Sequence, residues 1–181
     1  MKWLVALACL FGPAAHADEA LWQLVAGGGQ VLFVRHAQTT PGVGDPPGFK
    51  LEDCASQRNL SAEGRAQAQR MGAELGRRSV PIGDVLSSPW CRCLDTARLA
   101  FGRATRWDAL SNLFGRAGEA ERQVRALRPR IAAYRGSGNL VLVSHGSTAA
   151  ALTGEHPGMG ELLVLTPSGG GFRVAGRLAI P

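Results

Sequence analysis

Residues 31–40 read VLFVRHAQTT, and the apolar residues Val31 to Val34 run directly into Arg35 and His36. A short unbroken apolar run with β-branched valines fits a strand covered on both faces. Gly27, Gly28 and Gly29 precede it and mark a turn. The polar pair therefore belongs where the strand ends, at the carboxyl edge of a sheet, which is where open α/β sheets place their ligands. Two further stretches repeat the pattern. Residues 139–147 read NLVLVSHGS, an apolar run that ends in Ser144, His145 and Gly146. Residues 84–97 read DVLSSPWCRCLDTA. There a strand is expected to end at Ser87, with Ser88 capping a helix and Pro89 in its first turn. Arg92 then falls in the first helical turn, where free backbone N–H groups favour an anion.

The remaining pattern alternates strands with helices. Residues 18–24 read as a short helix. Residues 40–48, TPGVGDPPG, form a loop that leaves the first strand directly and is expected to make part of a pocket rim. Ser61 is placed to cap a helix running to about Arg78, with Ala68, Met71 and Leu75 on one stripe. A strand with its lead-in spans residues 80–87, a helix 89–101 and a short strand 105–107. Residues 119–134 are helical in pattern, with Val124, Leu127 and Ile131 on one face and Pro129 set to kink or divide the helix. Another helix covers 147–152. Residues 161–165 and 171–174 form a final antiparallel hairpin around Pro-Ser-Gly-Gly. The fold class expected is α/β: three layers, α/β/α, with a mostly parallel central sheet and a C-terminal antiparallel hairpin.

The chain's 181 residues suit one domain. Residues 1–17 read as a secretory signal peptide, leaving a domain over 18–181. Lys2 supplies the positive start, residues 3–11 an apolar core too short to span a bilayer, and Ala15-His16-Ala17 the small-x-small end. The expected location is periplasmic or secreted, with no stable membrane insertion after cleavage and no nucleic-acid partner. Net charge is +6, and 18 of the 20 basic residues are arginines. Arginine suits bidentate phosphate binding, but a G+C-rich genome produces the same bias. Downstream of residue 17 stand Cys54, Cys91 and Cys93. An oxidising compartment permits a disulfide, and Cys91 and Cys93 point apart on a helix, so the pair expected is Cys54 with one of them. Ligand spacing for zinc is poor, and no metal is expected.

Taken together, the three strand-end motifs resemble the histidine phosphatase superfamily, also called the phosphoglycerate mutase-like family. Its Arg-His-Gly signature reads here as Arg35-His36-Ala37. Its Ser-Ser-x-x-x-Arg-x-x-x-Thr-Ala segment is matched by Ser87, Ser88, Arg92, Thr96 and Ala97, and its second histidine by His145-Gly146. The resemblance covers roughly residues 30–166. It implies a phosphohistidine at His36, phosphate held by Arg35, Arg92 and His145, and no cofactor; His145, if protonated, adds a third charged donor. Arg58, before the segment Asn59 to Ala68, is a further substrate contact under the same resemblance, or else a solvated charge at a helix entry. For attack, His36 must be neutral, with its other nitrogen donating to a backbone acceptor.

Two positions depart from the family. Ala37 replaces glycine, a small change if the backbone angle there is negative. Family members often carry Leu-x-Glu followed by Phe-Gly as the proton-donating segment. Residues 108–115 read DALSNLFG, with Leu110, Phe114 and Gly115 in place, one residue fewer, and Asn112 at the glutamate position. An amide cannot act as the acid. Glu119, Glu155 and Asp45 are the carboxylates considered as substitutes. The function expected is hydrolysis of a small-molecule or lipid-linked phosphomonoester, with an envelope sugar phosphate as the substrate class. The alternatives are a non-catalytic phosphate-binding protein on the same scaffold and a phosphohistidine phosphatase.

Overall fold

The computed structural model describes residues 13–180, with side chains from Asp18 onward. In chain order the elements are α1 (Pro13–Ala26), β1 (Val31–Arg35), α2 (Ala62–Arg77), β2 (Ile82–Ser87), α3 (Cys91–Phe101), β3 (Thr105–Arg106), α4 (Ala120–Ala132), β4 (Asn139–Ser144), α5 (Gly146–Thr153), β5 (Leu162–Ser168) and β6 (Gly171–Leu178). They build one sheet in the order β3-β2-β4-β1-β5-β6. The first four strands in that order run parallel, and β5 and β6 join antiparallel beside β1.

The unbroken apolar run in β1 reflects cover on both faces. Leu32 and Val34 face α1, α2 and α3 through Val25, Met71, Leu75, Cys93 and Ala97. Val31 and Phe33 face α4 and α5 through Leu127, Ile131, Ala149 and Leu152. This is the expected three-layer arrangement. Ser61 caps α2 by accepting from the Gly64 N–H at 3.0 Å, and Ala68, Met71 and Leu75 are buried along it. Pro129 does not divide α4; it sits in the last turns, where Ala133 N–H still reaches its carbonyl at 2.9 Å.

Register places the site. Arg35 pairs with Ser144 across β1 and β4, so His36 and His145 emerge side by side one residue later. Ser87 pairs with Val143 across β2 and β4, which brings Ser88 to the same edge. Cys54 and Cys91 form a disulfide with Cα atoms 5.7 Å apart, while Cys93 is free and buried. The bridge ties the loop after β1 to the start of α3. The apolar core of the expected signal peptide lies outside the described residues up to position 12; the backbone of α1 continues through positions 17 and 18.

Candidate active site

At the carboxyl edge of β1 and β4 lies a cleft of about 450 Å³. Arg35, His36, Arg58, Arg92, Asn112 and His145 all line it, as do Gly42, Val43 and Gly44 of the 40–48 loop. The three strand-end motifs, Arg58 and the expected rim loop thus converge.

His36 is 3% exposed, and its Nδ1 lies 2.9 Å from the Ala37 carbonyl oxygen. A carbonyl only accepts, so we assign the proton to Nδ1, which leaves a lone pair on Nε2. Burial pushes the imidazole down to about 3, and the charges of Arg92, Arg35 and Arg58 push the same way against the Ala37 hydrogen bond. The ring is therefore neutral at pH 7, as a nucleophile requires. Ala37 has no left-handed backbone, so its methyl costs nothing there; its N–H donates to Thr96 Oγ1 at 3.0 Å, joining the first motif to α3.

This protonation pattern has a consequence for stability. In the window between about 3 and the ordinary imidazole value, the unfolded chain binds a proton that folded His36 refuses. The contribution of a neutral His36 is complete above about pH 6.5 and is lost as pH falls through that window, at about 1.4 kcal/mol per pH unit. Denaturant unfolding from pH 7 to 4 should show this loss, and His36→Gln should remove the His36 share of it, leaving the share of the equally buried His145.

The condition set for His145, that it be protonated, is not met: burial, followed by the neighbouring His36 and the arginines, holds it well below the usual imidazole range. Its Nε2 lies 2.8 Å from Ser88 Oγ and 3.5 Å from Cys93 Sγ, and its ring meets His36 edge-on at 5.4 Å between centroids. Ser88 accordingly does not cap α3. Trp90 takes the cap position without a side-chain cap bond; Ser88 Oγ accepts from the Trp90 N–H at 3.4 Å, just ahead of the helix, besides its contact with His145. Burial also pushes the Cys93 thiol up to about 12, which makes it a packing group.

Arg92 is 1% exposed and does not present a free fork. Its Nη1 donates to Asp45 Oδ1 at 2.6 Å and its Nη2 to Asp45 Oδ2 at 3.2 Å. Asp45 also accepts from the Arg58 N–H at 3.1 Å and from Trp90 Nε1–H at 3.0 Å. Arg58 Nη1 donates to the Gly42 carbonyl, which folds the rim loop onto it. Arg35 Nη1 donates to the Pro157 carbonyl at 2.8 Å, and a Cβ on Gly146 would lie 3.2–3.3 Å from its guanidinium, so glycine allows this close approach. Arg35, Arg58 and Arg92 each bury an Nε–H with no hydrogen-bond partner, three of the five such side-chain atoms among the described residues. Buried donors are nearly always paired, so three orphans on one cleft mark it as a place for an anion.

None of the substitute carboxylates supplies an acid to this cleft. Burial alone would raise Asp45, but Arg92 outweighs it and holds the carboxyl below the usual range, fully bonded as a carboxylate. Glu119 pairs with Arg116 and Arg122 in a separate cleft. Glu155 pairs with Arg177 at 2.9 Å. Asn112 does line the site, with its Oδ1 accepting from Phe114 N–H at 3.1 Å and Ser147 Oγ at 2.8 Å. One wall residue, His156, has no sequence motif around it. Asp45 stands behind the wall, and its clamp on Arg92 joins residues 47 apart in the chain. The two large apolar side chains most open to solvent among the described residues, Val43 at 86% and Phe114 at 60%, both stand on this wall.

Residues 31–115 match the model of the histidine phosphatase superfamily, branch 1. No curated protein matches the chain. Among solved structures, the product of open reading frame Rv3214 from Mycobacterium tuberculosis shares the fold with a TM-score of 0.61 at 17% identity, over 80% of this chain and 94% of that one. The protein histidine phosphatase SixA complexed with tungstate gives 0.55 at 20% identity, over 83% and 96%. The mycobacterial glucosyl-3-phosphoglycerate phosphatase Rv2419c, complexed with VO3, gives 0.55 at 19% identity, over 76% and 92%. The family match thus runs from β1 to residue 115, and the solved structures share the fold over most of the chain.

Proposed function

We propose that the chain is a histidine phosphatase that hydrolyses a phosphomonoester through a phosphohistidine on His36 Nε2. The observation that carries this reading is the set of three orphaned arginine Nε–H donors around a buried, neutral His36. Three guanidinium groups and the Asp45 carboxylate leave two net positive charges, a match for a phosphate dianion without a metal ion. With Ser88 donating to His145 Nε2, the Nδ1–H of His145 is a further donor to phosphate. Arg35 and Arg92 neutralise charge on the transferring group, and Arg58 holds the same oxygens from the rim side. Water then attacks phosphorus, the N–P bond breaks, and its electron pair returns to Nε2.

Val43 and Phe114 support a leaving group with an apolar face, such as a sugar ring or a lipid stem, within the class of small or lipid-linked phosphomonoesters. An envelope sugar phosphate fits that class. The leader pattern in residues 1–17 and the Cys54–Cys91 disulfide support a secreted or periplasmic domain over 18–181. Among the described residues no helix is long and apolar enough to cross a membrane. Asn112 at the usual acid position favours a second reading, a phosphate-binding protein without turnover.

The two readings part in one experiment. Aryl phosphate, mixed with enzyme in the presence of a chelator and quenched, should yield a phosphoenzyme labile to acid and stable to base, followed by release of phosphate. Binding of inorganic phosphate with neither phosphoenzyme nor turnover would establish the binding protein instead.

A further inference from the structure

We propose that His156 is the proton donor to the leaving-group oxygen, in the role left open by Asn112. This rests on the phosphohistidine reading above. Among the described residues, the wall of the cleft contains no Asp or Glu. Its arginines hold their protons too tightly to act as acids, and Asn112 and Ser147 offer only amide and hydroxyl groups. His36 is the nucleophile, and His145 is buried with Nε2 engaged by Ser88. His156 is what remains: an imidazole on the cleft wall, exposed, with no hydrogen bond from its ring to the protein. Imidazole is the side chain that gives and takes protons most readily near neutral pH.

The backbone around His156 is fixed against the phosphate side of the cleft. The next residue, Pro157, gives its carbonyl to Arg35 Nη1 at 2.8 Å. Gly160 N–H reaches the carbonyls of Arg35 and His36 at 3.2 and 3.1 Å. The carbonyl of His156 itself accepts from Arg177 Nη1 at 3.4 Å, and Arg177 also holds Glu155 and Glu161. An exposed ring is thus carried on an anchored segment whose Pro157 carbonyl holds Arg35. Such a ring can close on a leaving group once substrate fills the cleft.

The step balances as follows. The Nε2 lone pair of His36 forms the N–P bond as the P–O bond to the leaving group breaks. The bond pair goes to that oxygen, which takes the proton of the His156 imidazolium and departs as an alcohol. In the second half, neutral His156 accepts a proton from water as the water oxygen attacks phosphorus, the N–P bond breaks with its electron pair returning to His36 Nε2, and inorganic phosphate leaves.

The test compares the full-length protein with His156→Ala and His156→Gln on aryl phosphates of graded acidity and on a simple alkyl phosphate. An acidic phenol leaves without help, whereas an alcohol does not. The expected result is a loss of about 10²–10⁴-fold in kcat/KM on the alkyl phosphate, with a change of only a few-fold on the most activated aryl phosphate. The dependence of log kcat/KM on leaving-group pKa should become steeper in both variants, and the aryl-derived phosphoenzyme should persist. Equal losses on all substrates would make His156 a binding residue and overturn the proposal. Unchanged slopes would overturn it too, with the phosphohistidine reading intact. Absence of phosphoenzyme and turnover in the unsubstituted protein would overturn both.

Discussion

His36→Ala should abolish the proposed phosphoenzyme and lower turnover on the order of 10⁴- to 10⁶-fold, the scale set by removing a nucleophile that no neighbour replaces. His145 cannot take over, since its Nε2 is held by Ser88 at 2.8 Å and the ring is 2% exposed. The arginines are N–H donors and offer no lone pair for attack. The loss should therefore fall on the chemical step: inorganic phosphate still binds, while rapid-quench measurement shows no covalent phosphate. The variant remains folded, because the one hydrogen bond it loses is local, from Nδ1 to the Ala37 carbonyl. A phosphoenzyme of undiminished amount in His36→Ala would place the nucleophile elsewhere and refute the assignment.

Asp45→Ala should be the most damaging change to stability near the site. The pair it breaks is deeply buried, with side-chain exposures of 1% for Arg92 and 4% for Asp45. Removing one partner of a buried pair typically costs about 3–5 kcal/mol, because the other charge stays buried without compensation. Here the Arg58 N–H and Trp90 Nε1–H also lose their acceptor. With about 2–4 °C of melting temperature per kcal/mol for a domain of this size, the expected fall is roughly 6–20 °C. Asp45→Asn keeps an acceptor oxygen and should fall less.

The pH dependence separates the carboxylate's charge from its shape. The Arg92 contacts hold the Asp45 carboxyl below the usual range despite burial. Its contribution is therefore present above the ordinary carboxylate pKa and is lost as pH falls through the depressed value. In Asp45→Asn that acidic component should vanish, while the loss due to His36 at milder pH persists. A melting temperature unchanged in Asp45→Ala would mean that Arg92 is solvated in solution and the clamp is absent.

Much of this protein is legible along the chain because it is written in local terms. The run from Val31 to Val34 is apolar throughout because both of its faces are covered, and it stops at Arg35 because the sheet stops there. The stripe of Ala68, Met71 and Leu75 follows the helical period, and Ser61 caps that helix by reaching only three residues ahead. Strand ends in sequence are site positions in space once parallel register sets them together, so Arg35, His36, Arg92 and His145 could be named from motif and pattern.

What only the tertiary structure decided depends on groups distant in sequence meeting out of water. Ser88 reads as a cap by its neighbours, but His145, 57 residues away, claims its hydroxyl. His145 reads as a charged donor if protonated, but burial beside His36 and three arginines favours its neutral form. Asp45 reads as a spare acid on a flexible loop, but Arg92, 47 residues on, converts it into a buried anion that holds the arginine in place. Periodicity reports which residues leave water together. It carries no record of which polar partner each one finds there, and in a low-dielectric cleft that partner sets both the protonation state and the direction in which a side chain can act.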